Sequence, residues 1–207
     1  MTPKNEEQFK DIRDQRQQEL RRSALKLFSQ KGFAATKISD ITSNAKLSHG
    51  LFYHYFESKE DLYVKVIRDI LHDFIQLVEA AAKRDATALG KMEWLTDITH
   101  AGSIREGVYR HILVLQALYS DYVNEPTKNE IVALYKEAVS GIARIIHAGQ
   151  KEGFFIDGDP EELATYHLSL AHGLLLWNAR TDQPLALSTD KVLRQLKLNK
   201  DKGITNE

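Results

Sequence analysis

Apolar side chains in this chain recur at three- and four-residue intervals and never alternate with polar ones over a strand's length, which predicts helices throughout. Leu20, Ala24, Leu27 and Phe28 stand at i, i+4, i+7 and i+8 and make one stripe of a helix running from about Asp14 to Gln30. Gly32 supplies the stop and Phe33 returns to the core. A short helix follows, with Thr36 as its cap and Ile38, Ile41 and Ala45 as its inner face. Lys46-Leu47-Ser48 is long enough only for a turn, and Ser48 caps a second short helix, His49 to Phe56. Phe52 and Phe56 lie four apart, on its core side. Ser58-Lys59-Glu60-Asp61 has the spacing of a capping box and opens a long helix to about Ala82.

The remainder predicts helices over Thr87–His100, a short piece near Ser103–Glu106, then Val108–Val123, Thr127–Lys151, Pro160–Ala179 and Thr189–Leu198. Asp159-Pro160-Glu161-Glu162 places a cap, a proline at the first helical position and acids in the first turn. Gly149, Gly153 and Gly158 mark the break before it. Pro3, Pro126, Pro160 and Pro184 all fall at boundaries, and no internal repeat is visible. The expected fold class is all-α. A three-helix unit with a helix-turn-helix arrangement spans 14–60, a larger helical domain 61–198, and a flexible tail 199–207.

Composition changes this picture little. Hydrophobic residues at 43% and charged residues at 28% describe an ordinary globular chain. The absence of cysteine excludes disulfides and thiolate metal sites and fits a reducing, cytoplasmic setting. Met1 to Arg22 is polar and has no apolar core, so it does not read as a secretory signal. The charge distribution says more than the net charge of −1. Arg16 to Lys59 carries +5, leaving −6 elsewhere, a basic head on an acidic body as expected where one end meets a polyanion. Chance clustering is the alternative on charge alone.

The pattern from Thr36 to Leu62 is more specific. It has Thr36, an Ile38/Ile41 pair, then Ser48-x-Gly50-x-x-Tyr53-x-x-Phe56, then Ser58-Lys59-Glu60-x-Leu62. This resembles the TetR family of transcriptional repressors, over Glu19 to about Val66. A weaker echo runs from Gly149 to Leu174, where Gly149-x-x-x-Gly153-x-Phe155 precedes Asp159-Pro160-Glu161-Glu162-Leu163-Ala164 and Gly173-Leu174. Three positions depart from the family's habit: Thr42 in place of alanine, Lys46 in place of a turn glycine, and Leu51 at a position often polar. Lys46 in that turn requires left-handed backbone or another geometry.

The resemblance implies a sequence-specific DNA-binding regulator, a repressor released from its operator by a small molecule bound in the C-terminal domain. Ser48, His49, Gly50 and Leu51 then sit at the end of the recognition helix that enters the major groove. Gly50 permits close backbone approach, and Leu51 offers only apolar contact, such as with a thymine methyl. Thr36, Lys37, Lys46, Tyr53, His54, Tyr55 and Lys59 are placed for phosphate contacts, with the helix N-termini at Thr36 and Ser48 adding to them.

Leu163 to Ala179 carries no formal charge and is apolar on more than one face, and Ile131, Leu134, Val139, Ile142, Ile145 and Ile146 spread over a wide arc of the preceding helix. A two-fold four-helix bundle, making a homodimer through 127–151 and 160–179, satisfies both; a wholly internal helix in a monomer is the alternative. The segment is too short and too polar to span a bilayer, so no membrane role is expected. A dimer matches a palindromic double-stranded operator. By the family's habit, a neutral apolar or amphipathic ligand would meet Phe74, Trp94, Ile98, His111, Leu115, Tyr119 and Tyr122, with His111 and Tyr119 as orienting polar groups.

No cofactor is implied. There is no Gly-rich phosphate loop, no Gly-x-Ser-x-Gly and no His-Glu-x-x-His. His49/His54 and His167/His172 are each five apart, poor spacing for one metal on one helix face. An enzyme and a protein-binding helical adaptor remain the rival classes, separable by turnover and by DNA retention at physiological salt.

Overall fold

The computed structural model describes residues 3–101, 104–178, 181–183, 185 and 188–198. The described chain is helical: α1 (Pro3–Lys31), α2 (Ile38–Asn44), α3 (His49–Phe52), α4 (Lys59–Ala82), α5 (Ala88–Ala101), α6 (Ile104–Tyr119), α7 (Glu125–Lys151), α8 (Pro160–Asn178) and α9 (Thr189–Leu193). No strand occurs among the described residues; their one extended pairing is an antiparallel bridge between Phe155 and Lys197. The all-α expectation holds. The expected tail at 199–207 and the start of the short piece at Ser103 lie outside the described residues.

The chain forms two compact units, Met1–Ile70 with Tyr109–Ile131, and Leu71–Val108 with Val132–Glu207. Their boundaries fall inside α4, α6 and α7. In the first unit the predicted stripe of α1 is the packed one: Leu20, Ala24, Leu27 and Phe28 are buried, as are Ile41, Phe52 and Phe56. Burying each such large side chain contributes about 1.5–3 kcal/mol. Phe28, Phe33 and Tyr63 form an aromatic cluster with ring centroids 4.9–5.6 Å apart, and burial pushes the Tyr63 hydroxyl up to about 12. The second unit packs α4, α5, α7, α8 and α9 around Met92, Ile142, Ile146, Phe155, Leu168 and Leu193.

Several element ends differ from expectation for local reasons. α1 starts at Pro3 instead of Asp14. Its early turns are built of strong helix formers behind an N1 proline and need no packed stripe; Phe9 and Ile12 are exposed there. α6 is one helix from Ile104 to Tyr119, where two were expected. α7 opens at Glu125 because the Asn124 carbonyl Oδ1 accepts the Thr127 N–H at 2.9 Å. α9 ends at Leu193, since the chain beyond it turns into the Phe155 bridge. Other signals hold as read. Ser58 Oγ accepts the Asp61 N–H at 3.1 Å as the cap of α4, and the Asp61 carboxylate accepts the N–H of Glu57, the residue before that cap, at 3.1 Å. Asp159 Oδ1 accepts the Glu161 N–H at 2.8 Å at the start of α8. At Gly149, near the end of α7, the Phe155 ring lies where a Cβ would stand, so any larger residue would displace it.

Candidate nucleic-acid interface

The turn between α2 and α3 sets the interface. The Leu47 N–H donates to the Thr42 carbonyl at 2.9 Å and the Lys46 N–H to the Ser43 carbonyl at 3.1 Å. With Ala45 as the last cap, this is a Schellman closure, and it puts Lys46 at φ +57°, the left-handed position that glycine usually takes. The departure noted in the sequence is thus accommodated by backbone strain at one lysine. Ser23, buried on α1, pins this end of α2: its hydroxyl donates to the Ile41 carbonyl at 2.7 Å and accepts from Asn44 Nδ2 at 2.9 Å. Both partners lie about twenty residues away, and no local motif announces them.

α3 begins as predicted. Ser48 Oγ accepts the Leu51 N–H at 3.3 Å. The helix proper ends at Phe52 and not Phe56, with Tyr53–Tyr55 continuing as turns in which the His54 and Tyr55 N–H groups bond Leu51 and Phe52. Phe52 and Phe56 are buried and anchor this unit. Ser48, His49, Gly50, Tyr53 and His54 are exposed, and Leu51 and Tyr55 half-buried. The His49 and Tyr53 rings meet edge-on at 5.6 Å. A Cβ on Gly50 would meet nothing within 4 Å, so no internal contact requires glycine there. Lys37, at the N-cap of α2, and Lys46, in the turn before α3, are exposed as well.

Two expected phosphate contacts are corrected. Thr36 is 0% exposed, and its hydroxyl donates to the carbonyls of Gly32 at 2.7 Å and Leu27 at 3.3 Å. It neither caps α2, whose N-cap is Lys37, nor reaches solvent. The Lys37 N–H is instead accepted by Asp40 Oδ2 at 3.3 Å. Lys59 turns inward: Nζ donates to the carbonyls of Phe33 at 2.9 Å and Thr36 at 3.0 Å and stands 4.2 Å from the Phe33 ring centroid. Its ammonium satisfies the loop between α1 and α2, leaving the charge tied to the fold and not offered to a phosphate.

Residues 20–66 match the model of the bacterial regulatory proteins, tetR family. The chain is 31% identical over 145 residues to the HTH-type transcriptional repressor NicS of Pseudomonas putida, covering 70% of this chain and 68% of that one. The chain belongs to the TetR family. It is 27% identical over 135 residues to the fatty acid metabolism regulator protein of Bacillus subtilis, covering 63% of this chain and 69% of the relative. Its fold matches a transcriptional regulator from Saccharomonospora viridis solved in complex with choline, with a TM-score of 0.70 at 22% identity, over 87% of this chain and 93% of that one. This TetR-family protein is therefore a transcriptional regulator with a DNA-binding helix-turn-helix, and the matched segment runs from α1 through the start of α4.

The seven expected ligand-lining residues are divided between the two units. Phe74, Trp94 and Ile98 belong to the second unit, and His111, Leu115, Tyr119 and Tyr122 to the first. Phe74 and Trp94 pack on the second unit's core, with the Arg84 guanidinium 4.6 Å from the Trp94 ring. His111 is half-buried, and desolvation lowers its imidazole to about 4, so it is neutral at pH 7. Tyr119 is 86% exposed and is corrected as an orienting group inside a pocket; Ile98, Leu115 and Tyr122 also lie open. Tyr122 packs against Phe33, with centroids 4.6 Å apart.

The expected dimer helices also divide. On α7, Ile131, Val139, Ile142, Ile145 and Ile146 are already buried within the protomer, while Leu134 is half-buried and Val132, at 38% exposure, stays open. On α8, His167, Leu168, Ala171 and Leu175 face inward, while Tyr166 at 56%, Leu170 at 37% and Trp177 at 57% exposure stay open along one stripe. No described helix is long and apolar enough to cross a membrane.

Proposed function

We propose that this TetR-family protein is a homodimeric, cytoplasmic repressor that reads a palindromic operator and leaves it when a small apolar or amphipathic ligand binds its C-terminal domain, 61–198, and that it has no catalytic activity. The observation carrying this reading is the α2–α3 unit: a buried Phe52/Phe56 anchor with Ser48, His49, Gly50, Tyr53 and His54 exposed, and Lys37 and Lys46 exposed at the start of α2 and in the turn. Ser48, His49, Gly50 and Leu51 take the base-reading role in the major groove, and Lys37, Lys46, Tyr53, His54 and Tyr55 the phosphate contacts. The α8 stripe of Tyr166, Leu170 and Trp177 supplies the two-fold contact, since aromatic and aliphatic side chains at this spacing suit an isologous interface.

Phe74 and Trp94 are candidates for apolar ligand contacts. The relative named as a fatty acid metabolism regulator and the choline-bound neighbour both fit an amphipathic ligand. Binding would bias α4, which leads directly out of the head, and so change the separation of the two recognition helices. Selection of bound duplexes from random-sequence DNA tests the reading: palindromic enrichment is expected, and enrichment of no motif would overturn it. Leu170→Glu is expected to give a monomer by light scattering, with loss of palindrome binding.

A further inference from the structure

We infer that Tyr122, in the turn between α6 and α7, is a positioning residue for the recognition helix: it grips the head through Phe33, apart from the covalent link along α4. The inference rests on the reading above that a dimer sets the separation of two heads. Every contact involved lies within the first unit. Phe33 directly follows Gly32, where α1 turns at φ +81°, and lies just before Lys37, the N-cap of α2. Its ring is therefore at the entry to the helix-turn-helix.

Besides Phe28 of α1, at 5.6 Å, two further parts of the sequence hold that ring. From α4, Lys59 Nζ stands 4.2 Å from its centroid and the Tyr63 ring 4.9 Å. From the α6–α7 turn, the Tyr122 ring stands 4.6 Å away at a tilt of 39°. Lys59 also bonds the Phe33 and Thr36 carbonyls, so a displacement of Phe33 is passed to the backbone that enters α2. Val123, buried beside Tyr122, anchors the turn that presents the ring. Two further ties run between the same parts. Gln30 Nε2 of α1 donates to the Tyr109 hydroxyl of α6 at 3.1 Å. Arg68 of α4 makes a bidentate pair with Glu130 of α7, at 2.8 and 2.7 Å. A movement of α6 or α7 thus arrives at the head directly. Tyr122 is half exposed, so its ring contributes little to core burial, and it packs on the Phe33 ring.

The test uses the full-length dimer and the palindromic duplex obtained by selection, with its half-sites also set one and two base pairs closer and farther apart. Wild type is expected to discriminate against the altered spacings. An aromatic pair of this kind carries about 2- to 10-fold in an equilibrium. Tyr122→Ala is expected to relax the spacing discrimination by that factor while leaving affinity for a single half-site unchanged. Tyr122→Phe, which keeps the ring, is expected to behave as wild type. Glu130→Gln, which removes the charge from the Arg68 pair, is expected to act in the same direction. Full spacing discrimination in Tyr122→Ala would overturn the inference, and so would an equal loss on every duplex, which marks a folding or DNA-contact role. A wild-type protein indifferent to spacing would sink the dimer reading, and this inference with it.

Discussion

Replacing Lys59 by methionine separates a lysine that serves the fold from one that serves DNA. The ammonium donates two charge-assisted hydrogen bonds, 2.9 Å to the Phe33 carbonyl and 3.0 Å to the Thr36 carbonyl. Hydrogen bonds to charged groups contribute about 1.5–3 kcal/mol net each. Lys59 is only half-buried, so the lower end applies and the pair is worth about 2–3 kcal/mol. The cation over the Phe33 ring adds about 0.5–1 kcal/mol, and the methionine stem restores part of that as apolar contact. The expected cost is therefore about 2–3 kcal/mol in urea unfolding followed by circular dichroism, a drop of roughly 5–10 °C in melting temperature for a chain of this length. Operator binding, measured by fluorescence anisotropy between 50 and 200 mM salt at a temperature where both proteins are folded, should keep its salt slope. A phosphate contact behaves oppositely. Its removal lowers the slope of log K against log salt by about 1 and leaves unfolding nearly untouched. Unchanged stability with a shallower slope would refute the inward role of Lys59.

Three further outcomes follow from the site. Gly50→Ala is expected to stabilise the protein by about 0.5–1 kcal/mol, because a Cβ there meets open space within a helix, and to lower operator affinity about tenfold by obstructing close approach; unchanged affinity would remove Gly50 from the interface. Lys46→Gly relieves the left-handed φ of +57° and should raise unfolding free energy by about 0.5–1 kcal/mol, while the salt slope of DNA binding falls by about 1; a steady slope would show that Lys46 touches no phosphate. Burial holds the His111 imidazole at about 4 against 6.5 when unfolded, so the unfolded chain takes up the proton first as pH falls. The His111 contribution to stability is then complete above pH 6.5 and lost between pH 6.5 and 4, by up to about 3 kcal/mol. His111→Gln should flatten that part of the pH–stability curve in denaturant titrations.

What could be read from the sequence was whatever a residue does with its near neighbours. Ser48 and Ser58 were legible as caps because the N–H groups they accept lie three residues on. Lys46 was legible as strained because the turn must close within three residues. Thr36 and Lys59 have the right types for DNA contact, but the carbonyls that claim them belong to the loop between α1 and α2 and the end of α1; for Lys59 the partners are 26 and 23 residues back. Periodicity failed in the same way at larger scale. A wide apolar arc shows that a helix must be covered on several sides, not by what. α7 and α8 both carry such arcs, yet α7 closes most of its own within the protomer, with Ile142 and Ile146 at 0% exposure, while α8 leaves Tyr166 and Trp177 more than half open. The demand for a second chain therefore rests chiefly on α8, with Val132 of α7 the smaller open contribution. Mutations on α7's arc should then act on folding, and mutations on the α8 stripe on association, a division that the sequence pattern of either helix does not contain.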